Sequence, residues 1–206
     1  MRVMNNTLLI ALACMAAAPA FGHEQGDIIV RAGPAQVSPD VSTDAATTGI
    51  DVDSNVQLGL TATYMLSPRF GVEILAATPF EHDITANGTT IGSTKQLPPT
   101  VSAQWFPMTN AKVQPYVGIG LNYTTFFSEA FNATGQAATG ATRLELTDSF
   151  GLALEAGMDV QITDKLLLNV AVWKVDINTD VEADGTKIGE VEIDPFAAMV
   201  GLGMKF

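Results

Sequence analysis

From residue 26 to the last residue, apolar side chains recur at every second position, in stretches broken by turn residues. A period of two places alternate side chains on opposite faces of a strand, which excludes amphipathic helices as the main element. Eight windows carry the pattern: 26–37, 55–66, 69–80, 96–106, 113–127, 144–160, 165–177 and 190–206. In the second, Val56, Leu58, Leu60, Ala62, Tyr64 and Leu66 share one face, and Asn55, Gln57, Gly59, Thr61 and Thr63 share the other. The sixth repeats it, with Phe150, Leu152, Leu154, Ala156, Met158 and Val160 opposite Ser149, Gly151, Glu155, Gly157 and Asp159. A slip of one residue would exchange the two faces, so the register is strongly specified.

The gaps between windows are 17, 2, 15, 6, 16, 4 and 12 residues, long alternating with short. An up-and-down barrel in an outer membrane has this rhythm, with long outer loops, tight periplasmic turns and both termini on the turn side. Ser67-Pro68, Pro107 to Lys112 and Thr163-Asp164 supply turn chemistry at the short gaps. Aromatic residues give a separate test. Tyr64, Phe70, Trp105 and Phe206 fall on the apolar parity at turn-side ends, and Phe80, Tyr123, Phe127, Phe150 and Phe196 at loop-side ends. Two such belts mark the two membrane interfaces. The chain ends on Phe206, in phase with Phe196, Ala198, Val200, Leu202 and Met204. A terminal aromatic of this kind is the signal read by the outer-membrane barrel-assembly machinery. A soluble eight-stranded calyx would turn its apolar face inward and requires neither belts nor a terminal Phe. The expected fold is therefore all-β, an eight-stranded antiparallel up-and-down transmembrane β-barrel.

The N-terminus reads as a secretory signal. Arg2 precedes an apolar run from Leu8 to Ala18, and Ala20 and Gly22 occupy the small positions before a cut. Residues 1–22 are the expected signal peptide and 23–206 the barrel, with cleavage after Ala20 as the neighbouring alternative. The apolar run is shorter than the roughly 20 residues of a spanning helix, and no later segment is long enough either. Cys14, the single cysteine, lies within the signal, and Ala11 stands where a lipoprotein signal usually carries leucine. Removing Arg2 from the 10 basic residues leaves 9 against 22 acidic ones, a formal charge of −13. Such a surface repels nucleic acid. The destination is the bacterial outer membrane, with its lipid as the first partner.

Particular stretches carry a family resemblance. They are His23-Glu24-Gln25-Gly26-Asp27 with Val30-Arg31-Ala32-Gly33, Gln57-Leu58-Gly59-Leu60-Thr61, and Leu75-Ala76-Ala77-Thr78-Pro79-Phe80. Further on come Leu97-Pro98-Pro99-Thr100, Pro115-Tyr116-Val117-Gly118, Leu121-Asn122-Tyr123-Thr124-Thr125-Phe126-Phe127, Asp148-Ser149, Trp173, Asp176-Ile177-Asn178-Thr179-Asp180 and Asp194-Pro195. Over essentially the whole mature chain the sequence resembles the outer membrane protein W family. The resemblance implies an eight-stranded barrel with a narrow hydrophobic channel for small apolar compounds, and some members of the family are bacteriocin receptors. Lys174 departs from the pattern, in which an aromatic is frequent, and the loops differ freely.

Parity sorts the inward side chains. Arg31, Arg69, Glu73, Glu155, Asp159 and Lys205 point inward, mostly in the half nearer the turns. Buried charges require partners, so a paired network closing the base is expected. Higher up, Leu75 and Trp173 are the expected constriction of the channel. For Trp173 both faces of its strand are equally apolar, and the inward placement is what the family resemblance implies. Space-filling is the competing role for both. Pro79, Pro98 and Pro99 lack N–H donors at the loop-side ends of the third and fourth strands, where a lateral opening into the membrane is the expected consequence. A role confined to shaping the loop is the alternative. His82 beside Asp83 is a conceivable water-activating pair, but one adjacent pair in a loop is ordinarily solvated. His23 at a free N-terminus gives no metal spacing with His82. No enzyme activity, cofactor or metal is expected. Two functions remain open: passive uptake of small hydrophobic solutes, and a structural or adhesive barrel whose loops bind partners, bacteriocins among them, over a packed lumen.

Overall fold

The computed structural model describes residues 22–44 and 47–206. The expected signal peptide, except Gly22, lies outside them. Eight long strands build the wall: β1 (Ile28–Ser38), β2 (Asn55–Ser67), β3 (Phe70–Ala77), β4 (Thr100–Trp105), β5 (Val113–Phe131), β6 (Ser149–Gln161), β7 (Leu166–Val175) and β8 (Phe196–Lys205). Each pairs antiparallel with its neighbour in the chain. The last strand pairs with the first, from Ile29↔Lys205 to Ser38↔Phe196, so the sheet closes and has no free edge.

Alternation decides which face is wet. Val56, Leu58, Leu60, Tyr64 and Leu66 on β2, and Phe150, Leu152, Leu154 and Met158 on β6, are exposed on the outside. So are Ile74, Val101, Ile119, Leu121, Val200 and Leu202 around the circumference. A continuous apolar girdle of this extent is far larger than the few hundred Å² a soluble monomer tolerates, and lipid is the solvent that suits it. Tyr64, Phe70, Trp105 and Phe206 form the turn-side belt, and Tyr123, Phe150 and Phe196 stand exposed at the other. Phe80 does not join them. β3 ends at Ala77, Pro79 interrupts the alternation, and Phe80 restarts it on the opposite parity with its ring buried. Phe127 is half-buried where the upper part of β5 pairs with the segment Thr89–Leu97.

The long outer loops are folded. Phe80–Ala86 and Thr89–Leu97 form a hairpin closed by Asn87-Gly88, and Asn178–Ala183 and Thr186–Glu192 form another closed by Asp184-Gly185. All four turn residues have positive φ, the backbone that two-residue hairpin turns demand. The first hairpin is flanked by Ile50–Val52 and by the upper end of β5. The second is flanked by Leu144–Leu146 and Ser42–Thr43. A short helix, Ala133–Thr139, is capped by Asn132, whose side chain accepts from the Gly135 N–H. Together these pieces enclose an apolar cluster of Ile84, Ile91, Phe131, Ala141 and Leu144 above the barrel. The expected windows 69–80, 96–106, 144–160 and 190–206 therefore overran the wall: Phe80, Gln96, Leu144 to Leu146 and Glu190 to Glu192 belong to this outer layer.

Candidate lumen pathway

The base of the lumen is built from inward positions of six strands. Arg31 on β1 is fully buried and donates twice to Asp159 on β6, Nε to Oδ1 at 2.9 Å and Nη2 to Oδ2 at 2.5 Å. Its Nη1 donates to Glu73 Oε2 on β3 at 3.0 Å and to Thr63 Oγ1 on β2 at 2.7 Å. Such a fork geometry is what a guanidinium offers and an ammonium does not. Asn169 on β7 adds a bond to Asp159 Oδ1 at 2.8 Å, and Gln104 on β4 donates to Glu155 Oε1 at 2.9 Å. Arg31, Glu73, Glu155 and Asp159 are thus brought together at the base of the lumen.

Two expected members are not there. Arg69 lies exposed in the turn between β2 and β3, because the strand resumes only at Phe70. Lys205 sits at the turn-side rim, where its Nζ donates to the Gly22 carbonyl at 2.9 Å and lies 3.4 Å from Asp27 Oδ2. Parity gave its direction, but its height on β8 puts it below the network.

His23 takes a place that sequence reasoning did not assign. It is buried against the base, with Nε2 2.9 Å from Asp159 Oδ2 and its ring edge-on to Phe106 at 5.0 Å. Phe106 in turn meets Tyr116, also at 5.0 Å, and the Arg31 guanidinium lies over the Tyr116 ring. Gly157 makes this possible, since a Cβ there would stand 2.4 Å from the Tyr116 ring. With Ile29, Met65 and Leu167, these rings pack the turn-side end. The signal for Gln104 and Asn169 was present in the sequence, as polar residues on the inward parity. His23 had no such signal, because it precedes the first strand.

Above the ions the inward face turns apolar, and the packing opens. A chamber of about 40 Å³ is bounded by Leu75 and Ala77 of β3, Trp173 and Val175 of β7, Val37, Phe80, Ile177 and Pro98. Leu75 is half-buried and Trp173 only 2 % exposed, and the two border the same chamber from β3 and β7. Gln96 borders this chamber and a second one of about 260 Å³ inside the outer layer, lined by Ile50, Ile84, Phe126, Phe131, Leu146 and Val181 among others.

His82 faces the upper chamber and is 1 % exposed, against the expectation of a solvated loop residue. Its Nδ1 lies 2.6 Å from the Asp53 carbonyl and its Nε2 3.0 Å from Gln96 Nε2. A ring that donates from Nδ1 and accepts at Nε2 is neutral, and burial accordingly holds the His82 pKa below its ordinary value. Asp83 points away to solvent, so the adjacent pair is no dyad.

The wall has a discontinuity beside the smaller chamber. Pairing of β3 with β4 stops at Leu75↔Thr100 and resumes outside the barrel at Phe80↔Gln96. Between them β3 stays with β2, through Ala77↔Gly59 and the Thr78 N–H to the Leu58 carbonyl at 3.0 Å. The opposite side stays with β5: the Pro99 carbonyl accepts from the Tyr123 N–H at 3.0 Å, and Asn122 Nδ2 reaches the Pro98 carbonyl at 3.2 Å. Pro79, Pro98 and Pro99 all fall in this seam. Ala76, whose side chain faces the lipid, also borders the chamber here.

A family model described as the OmpW family matches residues 24–206. Outer membrane protein W of Vibrio cholerae serotype O1 is 45% identical over 96% of this chain and 97% of its own length. The crystal structure of outer membrane protein OprG from Pseudomonas aeruginosa superposes with a TM-score of 0.81 at 42% identity, covering 90% of this chain and 98% of that one. The solution structure of the E. coli outer membrane protein W gives 0.63 at 40% identity, over 89% and 100%. A barrel with a lipid-facing girdle, matched along its whole length by relatives of that description, belongs to the OmpW family of outer-membrane proteins.

Proposed function

We propose that this barrel is a passive conduit for small apolar molecules, taken in from the outer layer and released sideways into the membrane through the seam between β3 and β4. The observation that carries the reading is the stacking of two apolar chambers above a base filled by ions and aromatic rings. An apolar solute gains by leaving water for the upper chamber, passes Gln96, and reaches Leu75 and Trp173. Below them lies the buried Arg31, Asp159, Glu73 and Glu155 cluster, which an apolar molecule cannot cross without displacing charge-assisted hydrogen bonds. The seam with Pro79, Pro98 and Pro99 is the shorter way out, since no ladder bond has to break there. In the structural or adhesive alternative, loops bind partners such as bacteriocins and the lumen is only packed; the open chamber bordered by Leu75 and Trp173 favours the conduit.

Export precedes all of this. We propose that residues 1–22 are the cleaved signal, which leaves His23 at the start of the mature chain and inside the base, and that Phe206 is the group offered to the barrel-assembly machinery.

The test is uptake of a small apolar solute by proteoliposomes carrying Leu75→Asp or Trp173→Asp. A carboxylate in the apolar chamber costs several kcal/mol to bury unpaired, so uptake should fall while the heat-dependent gel shift of a folded barrel persists. Uptake equal to the parent by a folded variant would favour the packed lumen.

A further inference from the structure

Trp173, which borders the smaller chamber, carries a polar group that a hydrophobic conduit does not need. Trp173 Nε1 is buried and has no hydrogen-bond acceptor within reach. An indole N–H is a donor only, so it cannot be satisfied by rotating or changing tautomer. A Phe ring would narrow the lumen without leaving a buried donor unpaired, and unpaired buried donors are rare in native structures.

The other polar neighbours are already engaged. Thr100 Oγ1 donates to the Pro98 carbonyl at 3.2 Å and accepts from Asn122 Nδ2 at 3.0 Å. The Gln96 amide nitrogen lies 3.0 Å from His82 Nε2. Among the described residues bordering this chamber, Trp173 supplies the one buried donor with no partner.

We propose that Trp173 Nε1 is the recognition point for a single hydrogen-bond acceptor on an otherwise apolar ligand, so that the preferred solutes are medium-chain ketones, esters or aldehydes rather than plain hydrocarbons. This rests on the conduit reading and gives it a substrate class. The head, a carbonyl oxygen with its adjoining carbons, matches the scale of a space of about 40 Å³. The tail extends past Gln96 into the upper chamber of about 260 Å³, whose Ile84, Phe126, Phe131 and Val181 offer apolar contact. Trp173 then acts twice, its ring narrowing the passage and its N–H selecting what rests there.

The experiment uses the full mature protein in lipid nanodiscs, labelled with ¹⁵N at the indole nitrogens, and titrated separately with 2-octanone and n-octane. Trp105 faces lipid on the turn-side belt and reports partition into the bilayer for both solutes. The ketone should shift the Trp173 indole N–H resonance downfield and saturably, while octane leaves its proton shift in place. In proteoliposomes the ratio of ketone to octane uptake should fall about tenfold in Trp173→Phe, the scale of one net hydrogen bond. Equal perturbation of Trp173 by the two solutes, with an unchanged uptake ratio in Trp173→Phe, would overturn the recognition role and leave the conduit standing. Failure of both solutes to enter the parent protein would overturn the conduit itself, and this inference with it.

Discussion

The two ends of one lumen are built from the same inward parity and come out opposite in character. At the turn side, inward positions of β1, β3, β4, β6 and β7 carry charges and amides that bond to one another, and apolar side chains and rings pack beneath them. Asp159 alone meets Arg31, Asn169 and His23. At the loop side Ile, Leu, Val and Phe dominate the lining, with His82, Gln96 and a few threonines among them, and the short strands that carry them pack around space rather than through it. Charge-assisted bonds demand fixed geometry and so close the base, whereas non-directional apolar contact lets the upper layer stay roomy. Closure and access are therefore decided by side-chain chemistry on a wall that is otherwise uniform.

Arg31→Met tests the closed end and should have the largest effect. Its volume is kept, but Asp159 and Glu73 lose their common cation and remain buried. Removing one partner of such a cluster costs about 3–5 kcal/mol. Denaturant unfolding in lipid bilayers should show a midpoint shift of that size. A shift below ~1 kcal/mol would mean that the base is far wetter than its burial implies.

Next in size is the seam. A cysteine at Ala76, on the lipid side of the wall, can be capped with a bulky maleimide without entering the lumen. Capping should slow apolar uptake severalfold and leave small-ion conductance unchanged. Unchanged uptake after complete capping would remove the lateral route and leave only a path through the base.

How much of this was legible in the sequence differs between the same two regions. The wall was read from alternation because one face meets lipid and the other a packed lumen, so β2 and β6 carry the pattern undisturbed. The base was read nearly as well, since charges such as Arg31 and Glu155 on an apolar-flanked inward parity have few alternatives. Arg69 and Lys205 failed because parity fixes a direction and not a height. The outer layer was missed as structure, although Asn87-Gly88 and Asp184-Gly185 are strong hairpin turns. Its strands bury one face against each other and expose the other to water, so their alternation merges with that of the wall. Phe80 was misplaced for that reason, and His82, read as solvated, is a wall of the upper chamber. As a member of this family the chain is a non-enzymatic barrel, and of the adjacent His82 and Asp83 one is buried and the other faces solvent.

The smallest expected effect sharpens the comparison from the open end. His82 is neutral and buried, flanked by the Asp53 carbonyl, the Gln96 amide and the Phe80 ring at 6.3 Å, with the Asp53 carboxylate 3.9 Å from Nδ1. Burial is the largest influence and lowers its pKa below 6.5, while both contacts with Asp53 oppose the shift without cancelling it. The unfolded outer layer therefore takes up a proton more readily than the folded one as the pH falls. Stability contributed by neutral His82 is complete above about pH 6.5 and declines as the pH drops toward the depressed folded value. Protonation also removes the acceptor that Nε2 offers to Gln96, which borders both chambers. Hydrogen exchange at pH 7.5 and pH 5, corrected for intrinsic rates, should show amides of Phe80–Leu97 losing protection in acid while those of β6 and β7 keep theirs. His82→Gln should show no such difference between the two pH values. Equal protection of the hairpin at both pH values in the parent protein would mean that the outer layer is as rigid as the base, and that its chambers are not softened by acid.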